Sequence, residues 1–152
     1  MRTRLPLLGL LGLLGLLLAS TAAGCDLYRA VQPSSAMLVR VEASGGECPG
    51  GECANRWDIL RDGRVIGTGE PMPDVEPQVL ARIVAAADST DWEAVLARPF
   101  TGECPKNFDG QEFVYTFPTA AGDVVVATCT TQIGNGQEPF ESILDALFAS
   151  GG

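Results

Sequence analysis

Five cysteines, one lysine and a scatter of carboxylates carry whatever chemistry this chain can do, because it contains no histidine. That absence removes Ser-His-Asp and Cys-His catalysis, histidine-ligated metals and the commonest general base together. A buried lysine can serve as base or nucleophile, but Lys106 lies between Pro105 and Asn107 in a polar loop and reads as an ordinary solvated cation. Glycoside hydrolysis needs two carboxyl groups flanking the scissile bond, and the Asp and Glu residues form no recognisable pair of that kind. Asp58, Asp62 and Gly63, or Asp109, Gly110 and Glu112, offer oxygen ligands near turns without the spacing of a calcium loop. Zinc ligation by four cysteines requires close pairs, which Cys104 and Cys129 do not form. The sequence therefore predicts no catalytic residue, no metal and no cofactor.

The cysteines are better explained by export and oxidation. Arg2 and Arg4 precede Leu5 to Leu18, an almost continuous run of Leu and Gly, and Ala19 to Gly24 is small and polar. This is the three-zone form of a signal peptide, and its apolar core is shorter than the roughly 20 residues a spanning helix requires. In an oxidising compartment an odd thiol is a liability. Setting Cys25 aside leaves Cys48, Cys53, Cys104 and Cys129, which can pair in three ways. Cys48 with Cys53, across the turn-rich Pro49, Gly50, Gly51 and Glu52, and Cys104 with Cys129 is the favoured pattern.

The run Thr21, Ala22, Ala23, Gly24, Cys25 resembles the lipobox of bacterial lipoproteins. The resemblance is confined to the first 25 residues or so, and it implies cleavage before Cys25 and lipid attachment to its thiol. Two or three acyl chains anchor firmly where one binds marginally, at about 0.8 kcal/mol per buried methylene. The expected organisation is a signal peptide over 1–24, a lipidated N-terminus and tether over 25–36, and one domain over 37–152. The alternative is ordinary cleavage after Ala22 or Ala23, giving a soluble secreted or periplasmic protein. On the lipoprotein reading the protein sits on the extracytoplasmic side of a membrane. The tether reaches about 20 Å, so its partners would be membrane-proximal.

The formal charge of the whole chain is −9, and loss of Arg2 and Arg4 with the leader would make it two charges more negative. Nucleic acid and anionic lipid surfaces call for basic patches, so neither is an expected partner. The partners expected are the membrane, through lipid on Cys25, and an envelope protein or small ligand.

The elements that would position these residues follow from apolar spacing. Met37 to Glu42 alternates as a half-buried strand, and Arg56 to Leu60 and Arg64 to Thr68 flank Asp62-Gly63, a two-residue hairpin signature. Leu80, Ile83, Val84 and Ala87 give one helical face over Pro77 to Ala87. Thr90 to Glu93 has capping-box form and starts a short helix ending before Pro99. Glu112 to Phe117 and Asp123 to Cys129 form a second hairpin across Pro118 to Gly122. A last helix runs from about Glu138 to Ala149, with Phe140, Ile143, Leu144 and Leu147 inward. Strands grouped before and after helices predict an α+β domain: an antiparallel sheet of about five strands, made of two hairpins and one further strand, with two to three helices on one face and two disulfides.

The irregular segment Phe100 to Gly110 is the candidate binding loop, through Phe100, Lys106, Asn107 and Phe108; the competing reading is that its two phenylalanines plug the sheet ends. A non-catalytic binding or interaction module is the leading functional expectation. The alternatives are a small carboxylate-dependent hydrolase and a protease inhibitor presenting the Cys48 to Cys53 loop.

Overall fold

Alternation with a period of two dictates a sheet with one apolar side, and the observed strands form it. The computed structural model describes residues 36–48, 51–68 and 71–148. The leader, Cys25, the tether up to residue 35, and Pro49 and Gly50 lie outside the described residues, as do the side chains of Cys48 and Glu52. The strands are β1 (Met37–Cys48), β2 (Gly51–Leu60), β3 (Val65–Gly67), β4 (Gln111–Thr119) and β5 (Gly122–Ala127). They lie in the order β3-β2-β1-β4-β5, with every neighbouring pair antiparallel. The helices are α1 (Pro77–Ser89), α2 (Trp92–Leu96) and α3 (Phe140–Phe148), with a 3-10 turn at Pro105–Phe108. The α+β class with a five-stranded antiparallel sheet and three helices is therefore observed.

Register explains which side chains are covered. Val41 faces Trp57 on one side and Tyr115 on the other; Tyr115 in turn faces Val126, and Phe117 faces Val124. These residues share one face of the sheet. On it they form a single apolar core with Ile83 of α1, Val95 of α2, and Phe140, Ile143 and Leu147 of α3. A register shift between Met37 and Val39 marks a bulge, which lets the consecutive residues Leu38 and Val39 both be buried. Trp92 stacks on Phe117 with ring centroids 4.5 Å apart, so the short α2 is held by an aromatic contact rather than by its own length.

Three local details differ from the sequence expectation. The β2–β3 hairpin closes through the Leu60 N–H donating to Arg64 O at 2.9 Å, so its loop has three residues, Arg61, Asp62 and Gly63, rather than two. Gly63 takes a left-handed φ of 92°, the position at which a three-residue loop requires glycine. At the start of α2, Asp91 rather than Thr90 caps the helix, its Oδ1 accepting the Ala94 N–H at 3.0 Å. The Thr90 hydroxyl instead donates to Ala86 O at 2.7 Å and closes α1, while the carboxylate takes the dipole-facing site. β1 and β2 are also longer than expected: Glu47 pairs with Glu52 and Cys48 with Gly51, so Cys48 and Cys53 belong to paired strands and not to a free loop. Among the described residues one disulfide is seen, Cys104–Cys129, where two were expected.

The opposite face of the sheet exposes Ile66 at 55 % and Val125 at 52 %. Arg40 and Asp58, directly opposed in register, meet there as a two-pronged ion pair at 2.7 and 3.0 Å. That hydrogen bonding holds the Asp58 carboxyl below its ordinary range. A depressed folded-state value contributes stability above the unfolded pKa, and the contribution is lost as pH falls through the folded value. The pair is partly solvated, so the contribution is about 1 kcal/mol or less. Asp58→Asn is expected to lower the urea midpoint at neutral pH and to lose part of the acid-induced drop seen in the unsubstituted chain. Parallel acid curves for the two proteins would refute this assignment.

Candidate functional site

Where β4 begins, its inward residue Phe113 is only partly covered while Tyr115 is buried, and a cleft opens beside α3. The wall opposite α3 is the segment after β5. The Thr128 N–H donates to Phe113 O at 2.9 Å and its hydroxyl accepts the Phe113 N–H at 3.0 Å, tying this segment to β4. Phe100 N–H donates to Thr130 O and Gln132 N–H to Arg98 O, joining it to the strand-like stretch after α2. The Cys104–Cys129 disulfide fixes the same two segments covalently. Beyond it, Ile133 to Gln137 folds back on itself: the Gln137 side-chain oxygen accepts the Gly134 N–H at 2.9 Å.

The resulting cleft has a volume of about 430 Å³, within the size range of sites that bury small ligands. Its floor is aromatic. Tyr115 meets Phe140 edge-on with centroids 5.0 Å apart, and Phe113 stacks beside Tyr115 at 6.5 Å. Ile133 and Leu144 add aliphatic surface, and Glu141 and Asp145 stand on the α3 flank. Tyr115 is 1 % exposed, and burial pushes its phenol far above the ordinary range, so it is a neutral hydroxyl.

The candidate loop lies elsewhere, and none of Phe100, Lys106, Asn107 or Phe108 lines this cleft. The Phe100 ring lies over Gly102, where an added Cβ would stand 2.6 Å from it. The Asn107 N–H donates to Cys104 O inside the 3-10 turn. Lys106 extends along the end of β1 and its Nζ donates to Ser44 Oγ at 3.1 Å. Phe108 is 64 % exposed and plugs nothing. Lys106 and Asp109 border a second, smaller depression of about 270 Å³ with Gly45, Gly46 and Glu47. The loop's position depends on Gly45, whose φ is 108° and whose Cβ, if present, would lie 2.5 Å from Gly110 O. Gly45→Ala should therefore destabilise the domain by about 1–3 kcal/mol, through backbone strain and displacement of the loop. Chemical denaturation measures it, and a neutral result would show that the loop is not seated against β1.

Cys104, Cys129 and Glu112 place potential ligand atoms within 4.8 Å of one another, but both sulfurs are joined to each other in the disulfide and are unavailable as thiolates. Glu141 and Asp145, the one acidic pair in the main cleft, are a helical turn apart on one element. They stand on the same side of the space, where two-carboxylate hydrolysis needs groups on opposite sides of the bond. The aromatic floor went unnoticed in the sequence because Phe113, Tyr115 and Phe140 carry the spacing of core residues, which they also are. The one available signal was the Gly-rich Ile133 to Gln137 segment beside an aromatic strand.

Comparison of the chain with protein families, with characterised proteins and with solved structures gives no match. Among the described residues no helix is long and apolar enough to cross a membrane.

Proposed function

We propose that the chain is a lipid-anchored protein of the bacterial cell envelope whose α+β domain is a non-catalytic binding module. The observation that carries the binding reading is the aromatic-floored cleft between β4, residues 128–137 and α3. An open depression of this size with apolar lining is suited to holding a ligand, and its two carboxylates on a single helical flank are poorly placed for hydrolysis. Anchoring through Cys25 rests on the leader and on cysteine parity. A second bridge between Cys48 and Cys53 belongs to the same proposal. It is supported by Cys53 being a disulfide cysteine and by the pairing of Cys48 with Gly51, two positions from Cys53.

The cleft is tested by titrating the full chain in neutral-detergent micelles with 2-phenylethanol while following methyl resonances. Shifts at Ile133 and Leu144 but not at Val125, on the far face, are expected. Equal shifts at Val125, or none at any of the three, would overturn the binding reading. For the anchor, a Cys25→Ala chain expressed with its leader should leave the membrane fraction, and its complete retention there would refute lipidation.

A further inference from the structure

We propose that β5 is a dimerisation edge: it pairs antiparallel with the β5 of a second copy of the chain, joining two five-stranded sheets edge to edge. β5 ends the sheet order, with β4 on one side and no strand on the other. Its register with β4 decides which backbone groups are left over. The Thr128 N–H donates to Phe113 O and the Thr128 hydroxyl accepts the Phe113 N–H, so 113 and 128 stand as a bonded pair. Stepping back by twos, Tyr115 with Val126 and Phe117 with Val124 are the other bonded pairs. Asp123, Val125 and Ala127 therefore turn their N–H groups away from β4, along with the carbonyls of Asp123 and Val125. The Ala127 carbonyl is used otherwise, accepting from the Thr130 and Thr131 N–H groups.

An open edge of this kind is a template for another strand, and monomeric proteins blunt it with Lys, Pro, a bulge or a covering segment. β5 contains no Lys or Pro, its register with β4 has no shift, and three consecutive valines give it high strand propensity. Among the described residues, no segment other than β4 makes a backbone hydrogen bond to residues 123–126. β3, at the opposite edge, is only three residues long. Charge and symmetry identify the occupant and its register. Outward-turned residues must meet outward-turned residues, so a two-fold axis can oppose Asp123 to Asp123, to Val125 or to Ala127 of the second copy. The first two bring the two carboxylates into contact or to within about 8 Å, whereas the third separates them by about 14 Å along the strands. That third register also opposes Val125 to Val125, covering a side chain that is 52 % exposed, and it sets Val124 against Val126 on the helix-bearing face. Backbone bonds then run between the two Val125 residues and from each Ala127 N–H to the opposite Asp123 carbonyl. A neutral residue opposite Asp123 and a valine matched to itself are properties of two β5 strands together, which is why the partner is a second copy.

The test measures the mass of the full chain in neutral-detergent micelles by sedimentation, with micelles in excess so that chance sharing of one micelle is rare. A concentration-dependent dimer is expected. It should tighten as salt rises, because the formal charge of −9 opposes association at long range and salt screens that repulsion. Hydrogen exchange at the Val125 and Ala127 amides should be slower in the dimer than in the dilute chain. Val125→Lys and Val125→Glu should each weaken the dimer by about tenfold or more, and an equimolar mixture of the two should restore it, since unlike charges then stand opposite. The mixed dimer should loosen with salt, the reverse of the unsubstituted one. Ile66→Lys, on β3, should leave the association unchanged. Urea midpoints establish that the variants are folded; if either Val125 variant is not, exchange at the Val125 and Ala127 amides of the unsubstituted chain decides alone. A chain still monomeric at about 0.5 mM, or a dimer that survives both Val125 variants, would overturn the proposal. So would β5 amides protected equally in monomer and dimer, which would mean that the edge is covered from within the chain.

Discussion

Phe140→Ala is expected to cost about 3–5 kcal/mol of folding stability, the range for removing a buried aromatic side chain. Phe140 is 2 % exposed and joins elements far apart in the chain. Its ring meets Trp92 at 6.3 Å, Tyr115 at 5.0 Å and Phe117 at 6.0 Å, each near edge-to-face. Truncation would leave a void between α2, α3 and β4 that neighbouring rings cannot fill without leaving their rotamers, so a cavity penalty adds to the lost burial. With a urea dependence of about 1–3 kcal/mol per molar, the midpoint should fall by roughly 2 M. The same residue forms part of the cleft floor, so the effect on ligand and on stability must be separated by working well below the new midpoint. A loss under 1 kcal/mol would mean that Phe140 is not the junction described. Phe140→Leu keeps most of the apolar volume and should recover more than half of the lost stability.

Removing the Cys104–Cys129 bridge by the paired substitution Cys104→Ser, Cys129→Ser is the second large effect. The cysteines are 25 positions apart, and closing a loop of that length is worth about 3.5 kcal/mol by chain entropy. A six-residue ring between Cys48 and Cys53 would be worth about 2 kcal/mol on the same footing. Losing the longer bridge should therefore hurt more, in urea midpoint and in resistance to heat. There is a local consequence as well. The bridge ties the loop after α2 to the segment that walls the cleft, whose other ties are backbone hydrogen bonds from Phe100 to Thr130 and from Gln132 to Arg98. Hydrogen exchange at the Phe100 and Gln132 amides should rise in the double variant more than exchange in β1. Uniform acceleration across the sheet would instead indicate only a global loss of stability.

Much of the fold was legible because it is governed by local patterns. Val39 and Val41 alternate with Arg40 and Glu42, and that period of two survives in the observed burial of β1. Leu80, Ile83, Val84 and Ala87 gave α1 its apolar face, and the structure packs them where the spacing implied. The boundaries were less legible. Ser44 to Cys48 holds two glycines and two charged or thiol residues, a composition that reads as loop, yet pairing with β2 and β4 carries the strand through it. Gly45 and Gly46 take positive φ values of 108° and 77° there, where a register shift lets β1 continue past the irregularity. Strand length was set by partners in space, which no window of sequence contains.

The site divides along the same line. Composition alone determined what chemistry is missing: with no histidine, the common triads and histidine-bound metals were excluded before any fold was known. Sequence also determined the α+β class, and cysteine parity together with the turn-rich 49–52 segment the expectation of a bridge between Cys104 and Cys129, because both depend on residue identity and order. Only tertiary structure decided where the packing leaves a cleft. Phe113, Tyr115 and Phe140 look like any core residues along the chain, and it is the shape of the 128–137 segment, and the side of α3 that carries Glu141 and Asp145, that leaves them bordering a cleft. A gap in packing is a property of how elements meet, and it leaves no mark on the residues of any one of them.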